Sequence, residues 1–212
     1  MTTLATLRAK LNDELAVPND ADTSPWTTAQ RSAAISEGYA DLWRAGVWKD
    51  TKQDIATVTD TWQYPLTTIR RLSRMELLDS GGRVLEQPKG VIEPDGSGTG
   101  AYQVRLRSPI GSGYTLRVRG FAPYSSVFAT DATSDDLPTE YNRMPLLKAK
   151  AILLRQQLAK FARWGEAQVI APPMNVSVDA LMGLIAAAER EYSDLTKDVR
   201  AQRTRVSIPG RL

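Results

Sequence analysis

The sequence predicts an α+β protein that is mainly an α-helical bundle of four helices, with an inserted small antiparallel β-module and an extended C-terminal tail. Two observations support this fold class. Apolar residues recur in steps of three and four in four separate segments, as they do on one face of a helix. Between the second and third segments the pattern changes to short, alternating, β-prone stretches. Because an amphipathic helix must bury its apolar face, four such helices predict a bundle.

The predicted boundaries follow these changes in pattern. The bundle is predicted over residues 1–51 and 138–201, and the β-insert over residues 52–122. A polar linker over residues 123–137 leads back into the bundle. Residues 202–212 are predicted to form a docking tail, because the helical period is lost there.

The first two helices are amphipathic. The first, over residues 3–15, has one apolar face made by Leu4, Leu7, Leu11 and Leu15. Thr27 and Gln30 fit a capping box for the second helix, which is predicted to end near Gly46. Gly38 inside that helix costs helix propensity, so it indicates a close approach to a neighbouring element.

The third helix is the element around which the bundle is predicted to be built. Pro145 marks either its first turn, where proline is tolerated, or a kink within it. The third helix and the last helix together supply the predicted core. The core residues predicted from these two helices are Leu147, Ala151, Leu154, Leu158, Phe161, Leu184, Ala188, Tyr192 and Leu195.

The β-insert opens with a predicted hairpin. Residues 54–59 and 62–64 are rich in β-branched and aromatic residues, and Asp60 with Thr61 suits the turn between them. Pro65 is predicted to end the return strand, because proline cannot donate a ladder hydrogen bond.

Two more hairpins complete the predicted insert. One joins residues 72–78 to residues 83–85 through a turn at residues 80–82. The other joins residues 102–106 to residues 114–119, since both stretches alternate apolar and polar side chains. Four arginines are predicted on the solvated face of this last hairpin: Arg105, Arg107, Arg117 and Arg119.

The composition narrows the chemistry available to the chain. Its 212 residues include no cysteine and no histidine, which removes Cys/His zinc sites, disulfides, thiol nucleophiles and a Ser-His-Asp triad. No pair of carboxylates indicates acid–base catalysis, so we expect no enzyme activity and no catalytic, metal or cofactor site. No apolar run approaches the ~20 residues of a membrane span, and no secretory signal opens the chain. We therefore expect an intracellular protein without a membrane partner.

The net charge of +3 is unevenly distributed. The last fourteen residues, from Val199 to Leu212, carry four arginines and no acid, which gives a charge of +4. The rest of the chain therefore sums to −1, and the basicity is predicted to belong mainly to the tail and not to a groove-lining face. A basic and apolar end of this kind is either disordered or docks on a partner.

Three groups of residues that look like binding sites are interpreted structurally. The loop with Gly96, Gly98 and Gly100 lacks the following helix and the lysine of a phosphate loop, so it is predicted to be a mobile connection. The acids within residues 131–136 lack the spacing of a calcium loop and suit a helix start. Five scattered tryptophans are predicted to pack in the core or at subunit contacts rather than to stack sugars or bases. They are Trp26, Trp43, Trp48, Trp62 and Trp164.

The order of the segments resembles a known protein family. An N-terminal helix is followed by Pro25–Thr27 and by a helix containing Ala33–Trp43, and a β-insert opens with Trp62–Leu66. The stretch Asp136–Tyr141 then leads an Ala/Leu-rich helix, and a last helix containing Ala186–Tyr192 runs into the tail. In this layout the chain resembles the head-to-tail adaptor (connector) proteins of tailed bacteriophages, including those called tail tubular protein A.

The resemblance implies a structural role in the virion, at the head–tail junction, for a protein made in the host cytoplasm. Such adaptors form a ring of twelve subunits under the portal protein, and the ring supports the next neck or tail protein. The ring extends the channel through which double-stranded DNA passes, without sequence-specific contact, during genome ejection. The C-terminal tail would dock on the portal. The residues implied in portal docking are Arg203, Arg205, Val206, Ile208 and Leu212.

Two alternatives stay open. Another neck or tail-completion protein would fill a neighbouring structural role, although such proteins tend to be more β-rich and shorter in helix. A nucleic-acid-binding module would instead use the arginines of the predicted hairpin, and its affinity for short DNA would fall steeply with salt.

Overall fold

The computed structural model describes residues 2–15, 25–97, 101–164 and 177–206. For residues 161–164 and 203–206 it describes the helical backbone only. The chain divides into two compact units. The helical unit consists of Met1–Val47 and Tyr124–Leu212, and the β unit consists of Trp48–Pro123.

The helical unit contains four α-helices and one short 3-10 turn. The elements are α1 (Leu4–Leu15), α2 (Thr28–Arg44), the 3-10 turn (Thr139–Tyr141), α3 (Arg143–Trp164) and α4 (Val178–Val206). The capping box predicted at the start of α2 is confirmed, since Thr27 accepts from the N–H of Gln30 and the Gln30 side chain accepts from the N–H of Thr27. Pro145 lies in the first turn of α3, where its missing N–H costs no helical hydrogen bond.

Helix α3 packs against both α2 and α4. Its Leu147, Ala151 and Leu154 are buried, while Leu158 is half-buried and the side chain of Phe161 lies outside the described residues. The close approach expected at Gly38 is confirmed, because a Cβ placed there would lie 2.3 Å from the carbonyl oxygen of Pro145.

The predicted phase of the apolar stripe on α4 is wrong at one position. Leu184 is 40% exposed, and the neighbouring Ile185 is buried in its place. Ala188 and Tyr192 are buried as well, and Leu195 is half-buried against the same core. Both leucine and isoleucine are apolar, so only packing against α3 decides which of the two faces inward.

The β unit contains seven strands in two antiparallel sheets. The strands are β1 (Lys49–Ala56), β2 (Thr61–Leu66), β3 (Arg71–Leu78), β4 (Val84–Glu86), β5 (Gly90–Pro94), β6 (Tyr102–Ile110) and β7 (Thr115–Ala122). One sheet has the order β1-β7-β3-β4, and the other has the order β2-β6-β5. The strands enclose a core of their own: Tyr64, Leu66, Ile69, Met75, Leu77, Val104, Leu106, Ile110, Leu116 and Val118.

The prediction of a mainly helical bundle with a small insert is therefore wrong. Seven strands in two sheets with their own buried core make the protein a mixed α+β fold. Polar strands account for part of the error. The sequence of β1 has mostly charged or polar residues, so it carries little β signal, yet its full length pairs with β7.

Two of the three predicted hairpins are also wrong. Strand β1 pairs with β7 and β2 pairs with β6, so neither β1 with β2 nor β6 with β7 forms a hairpin. In both places the chain crosses from one sheet to the other, and a short connection suits either arrangement. The hairpin of β3 and β4 is confirmed, with Asp79 accepting from the N–H groups of Gly81 and Arg83.

Pro65 does not end its strand. Strand β2 continues to Leu66, and Pro65 pairs in register with Gln103. Proline is tolerated there because β2 is an edge strand of its sheet, where one side of the backbone needs no partner strand.

Candidate functional site

The first turns of α4 carry the most unusual surface in the helical unit. Residues 180–188 contain no charged or hydrogen-bonding side chain. Leu181, Ile185 and Ala188 of this segment are buried against the core. The other six residues are exposed: Ala180, Met182, Gly183, Leu184, Ala186 and Ala187. A helix that is apolar all round is normally covered on all sides, so this segment is a candidate contact surface. We call residues 180–188 the apolar segment of α4.

The β unit also exposes large apolar side chains. Trp62 is 47% exposed, and Val58 and Tyr114 lie on connections that meet at one end of the unit. Thr57 joins the two connections, because its hydroxyl donates to the carbonyl of Gly111 at 2.7 Å and its N–H donates to the carbonyl of Tyr114 at 3.0 Å. Strands β4 and β5 expose three more such side chains, which are Val84, Leu85 and Val91.

The four tryptophans whose side chains the structure describes lie in different surroundings. Trp26 is fully buried in the helical unit, and its indole N–H donates to the carbonyl of Leu153 at 3.1 Å. Trp48 is half-buried in the β unit, where it stacks with Arg71 at 4.6 Å. Trp62 is exposed, Trp43 is half-buried, and the side chain of Trp164 lies outside the described residues.

A buried hydrogen-bond network closes the helical unit around Asp135. Its carboxylate accepts from the N–H of Thr2 at 2.5 Å and from the hydroxyl of Tyr39 at 2.6 Å. Asn142 donates to the Thr2 hydroxyl at 2.5 Å. Burial, and then the hydrogen bond to Asp135, raises the pKa of the Tyr39 hydroxyl far above its ordinary value, so this hydroxyl keeps its proton and acts as a donor. The network ties the N-terminus, α2 and the segment before α3 together.

A second polar contact joins three helices. The Asp41 carboxylate of α2 accepts from the hydroxyl of Tyr192 of α4 at 2.9 Å and lies 3.3 Å from the Lys148 ammonium of α3. Burial, and then this hydrogen bond, raises the pKa of Tyr192. Both tyrosines therefore hold helices in place. The sequence did not predict either contact, although a phenol within a buried helical stripe signals that an acceptor must lie nearby.

The three acids of residues 131–136 each have a different partner. Asp131 pairs with Arg8 at 2.5 Å, Asp135 belongs to the buried network, and Asp136 accepts from the N–H of Ser125 at 2.9 Å. Among the described residues, no group of three or more acidic side chains could hold a metal ion. None of the helices in the described part of the chain combines the length and the apolar character that crossing a bilayer requires.

The four arginines assigned to one hairpin face lie on different sheets. Arg105 and Arg107 belong to β6, whereas Arg117 and Arg119 belong to β7. Arg117 makes a two-pronged pair with Asp54, with both distances 2.8 Å, and this hydrogen bond lowers the pKa of Asp54. Strands β6 and β7 do not form a hairpin, so the four arginines do not share one hairpin face as the nucleic-acid alternative required.

The residues implied in portal docking lie at the edge of the described chain. Helix α4 continues to Val206, so the prediction of an extended tail from residue 202 is wrong for residues 202–206. Basic residues near the end of a helix favour its continuation, because they interact well with the C-terminal end of the helix dipole. Arg203, Arg205 and Val206 lie on this helical backbone, and Ile208 and Leu212 lie outside the described residues.

Comparisons with known proteins give weak likenesses to solved structures. No protein-family model matches the chain, and no curated protein matches its sequence. Among solved structures, the chain is similar to a chain from the neck of an empty GTA particle computed with C6 symmetry, with 13% identity and a TM-score of 0.32, over 89% of this chain and 92% of that one. It is similar, at the same identity and TM-score, to a chain from the virion of a native gene transfer agent (GTA) particle, over 88% and 91% of the two chains. At these values the likeness carries no inference about function.

Proposed function

We propose that the chain is a structural, non-enzymatic subunit of the neck of a tailed phage or phage-like particle. In this proposal twelve copies form an adaptor ring under the portal protein, and the ring supports the next neck or tail protein. Double-stranded DNA passes through the ring without sequence-specific contact. The order of helices and β-insert along the sequence supports the adaptor assignment.

The apolar segment of α4 is the observation that carries the proposal. Six of its nine residues are exposed and none is charged, so contact with a neighbouring subunit would remove apolar surface from water. Small residues such as Gly183 and Ala187 allow a neighbouring backbone to approach closely. In a closed ring each subunit contacts its neighbours through two different surfaces, so a second apolar surface is needed on the same chain. The exposed Val58 and Tyr114 of the β unit supply apolar area for that role.

The polar groups of the helical unit support a structural role. Tyr39, Asp135 and Asn142 form one buried network, and Asp41, Tyr192 and Lys148 form another. Each of these side chains serves to hold elements together, which suits a rigid assembly component. Docking of residues 202–212 on the portal stays a prediction, as does the number of subunits.

One substitution at two positions of α4 tests the ring. Ala187→Glu places a charge within the apolar segment, and Ala201→Glu places the same charge on the exposed surface of the same helix. Burying an unpaired carboxylate in an interface is strongly unfavourable, so Ala187→Glu should remain a folded monomer of 23.4 kDa. The wild type and Ala201→Glu should assemble into rings of twelve subunits.

Mass photometry, alone and with purified portal rings, measures the outcome, and circular dichroism confirms that both variants are folded. If Ala187→Glu assembles as the wild type does, the apolar segment is not the ring contact. If the wild type binds tails but not portals, the chain is a different neck or tail-completion protein.

A further inference from the structure

The β unit carries a groove that the neck assignment does not use. Three shallow depressions on its surface run into one another, because neighbouring depressions share Gly90 with Arg107, and Ser73 with Arg74. Trp62 borders one end of the groove. Six basic residues line the groove: Lys52, Arg74, Lys89, Arg105, Arg107 and Arg119. We call this surface the basic groove.

The positive charge of the β unit is concentrated in this groove. The unit contains eleven basic and eight acidic residues, a net charge of +3. The groove lining holds six of the basic residues and two of the acids, Asp50 and Glu93, a net charge of +4. The remainder of the unit is therefore slightly acidic. Such a separation of charge along one surface favours an anionic partner.

Part of the basic groove is held in position by one buried acid. The carboxylate of the buried Glu76 is 3.0 Å from the Nε of Arg74 and 3.1 Å from the Nε of Arg119. Both arginines approach Glu76 through Nε, and the Nε–H of Arg119 donates a hydrogen bond to the Glu76 carboxylate. One carboxylate thus pairs with two guanidinium groups, and these three side chains together keep a charge of about +1.

Like charges stand side by side across the strands. Lys52 of β1 pairs in register with Arg119 of β7, and Arg119 pairs with Arg74 of β3. A register shift of β3 between Leu72 and Arg74 brings Arg74 opposite Arg119. Like charges directly opposite each other destabilise a sheet, so this row is stabilised when an anion lies across it.

Three of the six cations have no acid within salt-bridge distance. Within the part of the chain that the structure describes, Lys52, Lys89 and Arg107 form no salt bridge. The contact between Arg105 and Glu93 is long, at 3.9 Å. These side chains are exposed and can meet a ligand without losing an internal partner.

We propose that the basic groove binds the phosphodiester backbone of DNA. Six cations lining one groove match a polyanion, and oriented guanidinium groups bind phosphate oxygens well. Trp62 at the end of the groove adds an aromatic face on which a base can stack. The groove lies within the β unit, and DNA binding there does not require ring formation or portal docking.

Charge removal at matched sites tests the proposal. Lys89→Gln with Arg107→Gln removes two cations from the groove, and Arg83→Gln with Arg190→Gln removes two exposed cations elsewhere. Fluorescence anisotropy with a labelled duplex and a labelled single strand, across a range of potassium chloride concentrations, measures binding of the full-length proteins. For a duplex, each lost phosphate contact lowers the slope of log affinity against log salt concentration by about 0.9. The groove variant loses two such contacts, so its affinity should fall about 60-fold at about 0.1 M salt.

The other variants decide the interpretation. Arg83→Gln with Arg190→Gln should bind DNA as the wild type does, and Asp50→Asn should bind more tightly because it removes an acid from the lining. Binding of either DNA form with this pattern supports the proposal. Equal weakening of both double variants, or no binding of either DNA form at about 50 mM salt, would overturn it. Binding of polyglutamate without binding of DNA would also overturn it, and would indicate an acidic protein partner.

Mass photometry of each variant keeps this test separate from the ring test. The groove substitutions leave the apolar segment of α4 unchanged, so their assembly should match that of the wild type. Loss of DNA binding with normal assembly concerns the basic groove alone, and loss of assembly with normal DNA binding concerns the neck proposal alone.

Discussion

Replacing Gly38 by alanine tests how closely α2 and α3 pack. A Cβ at this position would lie 2.3 Å from the carbonyl oxygen of Pro145 and 3.1 Å from its carbonyl carbon. Ordinary contact begins at 3.4 Å, so the new methyl group is 1.1 Å too close to the oxygen. The obstacle is backbone, which cannot rotate away as a side chain can. The two helices must therefore move apart.

The expected cost follows from two opposing terms. Overpacking a well-packed core costs about 1–3 kcal/mol, and a clash with backbone belongs at the upper end of about 3 kcal/mol. Alanine gains about 1 kcal/mol over glycine in helix propensity, which offsets part of this cost. Gly38→Ala should therefore lower the free energy of unfolding by about 2 kcal/mol.

Gly183→Ala in α4 is the matched control, and both glycine substitutions are compared in the Ala187→Glu background, because Gly183 lies in the proposed ring contact. No atom lies within 4 Å of the position of its new Cβ, so only the propensity term acts and the variant should gain about 1 kcal/mol. Urea unfolding measures the stability of both variants, on samples with the same oligomeric mass. Far-ultraviolet circular dichroism follows the unfolding, because the helical signal comes from the helical unit. If Gly38→Ala proves as stable as the wild type or more stable, the close contact with Pro145 does not exist in solution.

Two further predictions concern polar contacts. Tyr39→Phe leaves the buried carboxylate of Asp135 with one donor fewer, which should lower the free energy of unfolding by about 1.5–3 kcal/mol in urea denaturation, and a loss below about 0.5 kcal/mol would contradict the network. The lowered pKa of Asp54 means that its pair with Arg117 stabilises the fold above the unfolded pKa of about 3.9, and that this stabilisation is lost as the pH falls through the still lower folded pKa. As the pH falls from neutral to acidic, the Tm should therefore fall more steeply for the wild type than for Arg117→Gln. Parallel curves of Tm against pH for the two proteins would refute the pair.

The helices were predictable because their signals are local. The capping box of Thr27 and Gln30 involves residues three apart, and the apolar stripes of α2 and α3 repeat within one helix. The exact face of α4 was not predictable in the same way. Around Leu184 and Ile185 all residues are apolar, so the sequence offers no contrast between an inner and an outer face. The failure of the pattern there coincides with the surface proposed for ring contact.

Strand pairing was less predictable than the strands themselves. Alternation identified residues within β6 and β7, but it contains no information about which strand lies alongside. Partners such as Lys49 and Ala122, at the two ends of the β unit, are set by how two sheets cover one core. The network of Asp135 depends in the same way on the N-terminus returning to the segment before α3, a contact between residues 133 positions apart.

The sum of charges also misled the interpretation of the basic residues. The value of −1 for residues 1–198 combines +3 on the β unit with −4 on the helical unit without its last fourteen residues. A sum over sequence cancels charges that the fold keeps on separate surfaces, and electrostatic attraction depends on the local density of charge. The basic groove forms because three strands that are distant in sequence place Lys52, Arg119 and Arg74 in one row. Net charge per folded unit, and not per stretch of chain, is therefore the quantity that indicates an anionic partner.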